Sequence, residues 1–76
     1  MRNLPLRYSM LIEWSEEDQA FLVTLPEWSD HVLMPATHGD TYTEAVQHGQ
    51  EVLHMLLESA VQDGKAPPLP KTHVAA

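Results

Sequence analysis

Five side chains able to move protons or ligate a metal fall within one stretch of the chain: Glu44, His48, Glu51, His54 and Glu58. Glu44 and His48 stand four apart, as do His54 and Glu58, and Glu51 and His54 stand three apart, so on a helix each pair can touch. Carboxylates and imidazoles together are a ligand set that zinc accepts. The spacing argues against a shared site. His48 and His54 are six residues apart, which sends them to different sides of a helix, and neither pair forms the His-Glu-x-x-His arrangement of a zinc hydrolase. The expectation is a solvated helix back carrying weak pairs, with no metal site and no cofactor. His31, His38 and His73 have no converging spacing and read as surface or loop imidazoles. The chain holds no Gly-x-Ser-x-Gly element, no phosphate-binding loop and no sequence signal of a Ser-His-Asp triad. It has no Cys, which removes thiol nucleophiles, disulfides and thiolate zinc sites. Catalysis is not expected, and a metal-dependent hydrolase is the weakest functional reading.

Charge is more informative. The chain has 76 residues, with eleven Asp and Glu against four Lys and Arg, for a net charge of −7. All the acids lie between Glu13 and Asp63, and Arg2, Arg7, Lys65 and Lys71 all lie outside that span. A field of this sign repels phosphate backbones and attracts basic proteins, so no direct nucleic-acid binding is expected. The same charge also keeps a small domain soluble. Apolar runs fall far short of the roughly 20 residues that cross a bilayer, and the N-terminus lacks the apolar centre of a signal peptide. A soluble cytoplasmic protein that does not enter membranes is the expectation. A domain this small buries only about 60% of the surface of its unfolded chain, which favours self-association.

The elements that must position these groups follow from periodicity. Leu6 to Trp14 alternates, with Tyr8, Met10, Ile12 and Trp14 on one face, and predicts a first strand with Trp14 in the core or at its rim. After a polar loop over Ser15 to Gln19, Ala20 to Leu25 predicts a second strand with Phe21, Val23 and Leu25 on one face, making an antiparallel hairpin. Pro26 ends it, having no N–H for the ladder. His31 to Thr37 predicts a third strand, at an edge or bulged because of Pro35, and His38-Gly39-Asp40 a turn in which Gly39 takes a positive φ. Thr41 and Glu44 fit a capping box, so a helix starts near Tyr42. Its stripe of Tyr42, Ala45, Val46, Gly49, Val52, Leu53, Leu56, Leu57, Ala60 and Val61 faces a core, with Gly49 marking a close approach to the sheet. Gly64, Pro67 and Pro68 stop it.

The expected architecture is an α+β unit: a three-stranded antiparallel sheet, β-β-β-α in order, with one long amphipathic helix on one face. Residues 66–70 are a possible short fourth strand. Residues 1–5 form an N-terminal extension, 6–70 the single domain and 71–76 a flexible tail. The face opposite the helix is expected to expose Leu11, Leu22 and some of Val32, Met34 and Ala36, an apolar strip suited to association.

Two strands closed by Pro26, a third strand, Gly39-Asp40-Thr41 with Glu44-Ala45 opening a long helix, and then Gly64-Lys65 and a proline-rich end form an ordering that resembles the HicB-like antitoxin family over about Tyr8 to Pro70. The resemblance implies a partial RNase H-like fold that neutralises a small basic mRNA-cleaving toxin of the HicA type. Full-length family members usually carry a C-terminal DNA-binding segment; this chain ends soon after its helix, so it is not expected to repress transcription by itself. The connection Pro26-Glu27-Trp28-Ser29-Asp30-His31 is longer and less glycine-rich than is usual in the family.

Two roles follow. In the first, an antitoxin-type module occludes a basic toxin, with Glu16, Glu17 and Asp18 of the hairpin loop and Glu27, Trp28 and Asp30 of the next connection as the contact residues. Trp28 has two readings, an exposed anchor or local packing. Pro26, Gly39, Asp40, Thr41, Glu44 and Ala45 carry the structural motif. In the second role, a solitary homo-oligomer, dimer or tetramer, pairs through the open sheet face or an edge strand and has no toxin.

Overall fold

The structure, a computed structural model, describes residues 6–73. Strands β1 (Leu11–Ser15), β2 (Ala20–Thr24) and β3 (Thr37–Gly39) form an antiparallel sheet in the order β1-β2-β3. Helix α1 (Tyr42–Gln62) lies on one face, chiefly against β3 and β2. The α+β class and the continuous helix across the sheet are as the sequence reading has them. The expected extension over residues 1–5 lies outside the described residues, as do 74–76 of the expected tail.

Valine 23, Leu25, Trp28, Ala45 and Leu53 form the buried core, with Tyr8, Met10, Ile12, Phe21 and Leu57 among those packed around it. The second strand's face is therefore as expected. The first strand is shorter than its alternation predicts. Pairing starts at Leu11 opposite Thr24; continuing that register would set Ser9 against Pro26, which breaks the ladder. The hairpin closes on Ser15 and Ala20, and Gln19 takes the left-handed position (φ 51°) that no glycine is there to fill.

The third strand is displaced from its expected place. His31 and Val32 turn back to donate to the Trp28 carbonyl (2.9 and 3.0 Å). Pro35, after a cis Met34–Pro35 peptide, has no N–H, and pairing begins only at Thr37. His38 and Gly39 are thus strand residues, not a turn. Val32, Met34 and Ala36 pack against the core, so the strip expected on the open face is reduced to Leu11 and the half-buried Leu22.

Gly39 does not take a positive φ; its reason is close approach. A Cβ there would stand 2.5 Å from the Ala45 nitrogen. Gly49 marks the expected close approach to the sheet: a Cβ there would meet Val23 of β2 at 3.3 Å, and the Met10 sulfur, just ahead of β1, at 2.8 Å. The Thr41 hydroxyl caps α1 by accepting from the Glu44 N–H (3.0 Å). The return arm of the expected box is shifted by one residue, because the Glu44 carboxylate accepts from the Asp40 N–H at 2.9 Å. At the other end Gly64 (φ 68°) donates to the Val61 carbonyl and Lys65 to that of Ala60, a Schellman stop. The sheet is too small to cover the whole stripe. Ala45, Gly49 and Leu53 are buried, whereas Tyr42, Val46 and Val61 are exposed. Residues 66–70 form no strand. Among the described residues no helix is long and apolar enough to cross a membrane.

Candidate functional site

Beyond β2, Leu25 and Pro26 turn the chain into a single 3-10 turn, Pro26–Trp28, which carries Glu27 inward. Its carboxylate accepts from the Ser9 N–H (3.1 Å to each oxygen), the Ser9 hydroxyl (3.0 Å) and the Lys71 N–H (2.8 Å). The Ser9 N–H lost from the sheet ladder is satisfied here. Burial pushes this carboxyl up, but the bonds from Lys71, its own backbone and Ser9 outweigh burial and hold it below the usual glutamate value. Beside it Tyr8 donates to the Pro68 carbonyl (2.7 Å), and burial followed by the charge of Glu27 raises the Tyr8 phenol. A carboxylate saturated with donors has no proton to deliver. It is a staple between the segments leading into and out of the fold.

This corrects two expected contact residues. Glu27 is enclosed, and Trp28 is only 4% exposed, its ring packed near Tyr8 (5.5 Å) and His31 (5.7 Å). Of the two readings of Trp28, local packing is the one realised. Its indole N–H has no acceptor among the described residues, and the residue borders a cleft of about 230 Å3 shared with His31, Leu56, Asp63, Lys65 and Pro67. Lys71, expected to open a flexible tail, is fixed through its N–H to Glu27. Asp30 is exposed.

Glu16, Glu17 and Asp18 are exposed together at the hairpin tip. The tip is held locally: the Ser15 hydroxyl donates to the Asp18 carboxylate and accepts from the Asp18 N–H, both at 3.1 Å, and the Gln19 amide donates to the Glu16 carbonyl at 2.7 Å. On α1 the five-residue acid and imidazole set is divided among other duties. Glu44 caps the helix, and His48 donates through Nδ1 to the His38 carbonyl (2.6 Å). Glu51, His54 and Glu58 face solvent. Among the described residues no three His, Asp or Glu stand together as a metal site would require.

A feature the sequence reading did not assemble is a row of three aromatic rings. The register sets Trp14 opposite Phe21, their centroids 5.1 Å apart and edge-on, and Phe21 lies 4.3 Å from Tyr42. Phe21 is also paired with Gly39, whose missing side chain lets the start of α1 come down on the sheet and bring Tyr42 into reach. Trp14 is 45% exposed and Tyr42 63%. A shallow groove lined by Tyr42, Thr43, Val46, Gln47 and Gln50 continues from the row along the helix. The sequence signal was the hairpin register: a loop of Ser15 to Gln19 sets Trp14 against Ala20, and shortening it by one residue brings Phe21 opposite.

The chain matches no protein-family model, no curated protein and no solved structure.

Proposed function

We propose that this chain is a non-catalytic protein-binding module of the cytoplasm that captures a basic partner, in the manner of the HicB-like antitoxins it resembles, neutralising a HicA-type mRNA-cleaving toxin by covering its RNA-binding surface. The carrying observation is the sign of the surface. No Lys or Arg lies between Glu13 and Asp63, and of the eleven carboxylates all but Glu27 and Glu44 are exposed. Among the described residues the carboxylates of Glu16, Asp18 and Glu44 accept only from neutral N–H and O–H groups, so no cation there offsets their charge. Glu16, Glu17, Asp18 and Asp30 are its contact residues. Phosphate backbones are repelled by the same field.

Co-expression with the basic product of an adjacent gene tests the proposal. Growth is restored when this chain is present, and the two proteins purify together. Their association slows steeply between low and high salt, as the Debye length falls from roughly 30 Å at 0.01 M to about 3 Å at 1 M. Failure to restore growth, or a rate indifferent to salt, overturns it.

One observation favours the alternative of a solitary homo-oligomer. Among the described residues the outer edge of β1 pairs with nothing in the sheet, and Leu11 is exposed beside it. Light scattering separates the readings, since a monomer at high concentration excludes the oligomer.

A further inference from the structure

From the row of aromatic rings we infer that Trp14, Phe21 and Tyr42 form a docking strip for an arginine-bearing segment of a protein partner, with the guanidinium groups stacking on the rings. The inference rests on the reading above that the partner is basic and names the surface that takes it.

Phe21 packs against the core, whereas Trp14 and Tyr42 are exposed and lie outside it. Val23, Leu25 and Leu53 fill the core between sheet and helix, and the row continues outward from it to the hairpin end of the sheet. Tyr and Trp are enriched at the centres of protein interfaces, where a rigid ring supplies contact area at little entropic cost. Scattered exposed side chains such as Leu33 need no such account; three rings in a row, each against the next, do. Charge then selects the occupant. Glu16 and Glu17 follow Trp14 within three residues, Asp40 precedes Tyr42 by two, all three are exposed, and the sequence from Glu13 to Asp63 holds no Lys or Arg. A ring face attracts a cation, and the planar, weakly hydrated guanidinium stacks on it better than an ammonium does. The neutral groove beside Tyr42 accommodates the apolar and polar neighbours of such a residue.

The test uses the full chain with an arginine-rich decapeptide, its lysine counterpart and its glutamine counterpart, followed by calorimetry at low salt. The arginine peptide binds most tightly and the glutamine peptide least. Trp14→Ala and Tyr42→Ala each weaken the arginine peptide by about five- to thirty-fold, as loss of a stacked cation implies. Leu33→Ala, an exposed apolar control away from the row, leaves binding unchanged. Independently of any variant, the Trp14 indole N–H resonance moves on titration while that of the buried Trp28 stays in place. If the aromatic variants bind like the wild type while Glu16→Gln with Glu17→Gln and Asp18→Asn weakens binding, the strip is overturned and the charge reading stands. If no peptide binds, or the glutamine peptide binds equally well, both are overturned. If the Trp14 resonance moves with protein concentration alone, the occupant is a second copy of this chain and the inference is overturned.

Discussion

Glu27 is one side chain holding three parts of the molecule, and its energetics can be read from its donors. Hydrogen bonds to a charged group are worth about 1.5–3 kcal/mol, so Glu27→Gln, which keeps the shape but removes the charge, lowers stability by roughly that amount near neutral pH. The sign with pH follows from the depressed carboxyl. Its contribution is complete above the ordinary glutamate value and is lost as pH falls through the lower value of the folded state. Urea unfolding of both proteins across the acid range therefore converges at low pH; a gap that stays constant rules out this role. Little of this is legible in the sequence. Pro26-Glu27-Trp28-Ser29-Asp30-His31 reads as a polar connection, and what buries it are Tyr8, Ser9, Pro68 and Lys71, which no local pattern assigns to it.

At the scale of elements, the contact between α1 and the sheet depends on two glycines that differ in what they face. Gly39 faces helix backbone, which cannot yield, whereas Gly49 faces the flexible Met10 thioether most closely and the buried Val23 side chain at 3.3 Å. Gly39→Ala is expected to cost at least about 2 kcal/mol through overpacking. Gly49→Ala also gains about 1 kcal/mol of helix propensity and ends within about 1 kcal/mol of the wild type. Equal losses for the two in thermal unfolding would contradict this packing. The helix was legible from end to end because its signals are local: Thr41, Glu44, Gly64 and the prolines beyond. The third strand was not. Its place depends on which residues of β2 are free to pair and on the turn of His31 and Val32 back to Trp28. The hairpin was legible as a pair but not in register, and the register decides that Trp14 meets Phe21.

For the whole molecule, the dominant quantity is a net charge of −7 whose acids share a span with no Lys or Arg. Self-repulsion of that kind opposes the compact state and is screened by ions. The melting temperature accordingly rises between about 0.01 M and 0.15 M salt, by a few degrees, and a fall over that range would show that attractive pairs prevail instead. The charge and the α+β class were open to reading in advance, since one is a sum and the other follows from periodicity. The candidate site was legible only at the hairpin tip, because its rings come from three separated elements. The Glu27 staple also sets how the molecule can be used. Ser9 and Lys71 meet on one carboxylate, so two points 62 residues apart in sequence lie side by side. A cut at these two points can therefore be joined to a surface loop of a host protein without prying the host apart.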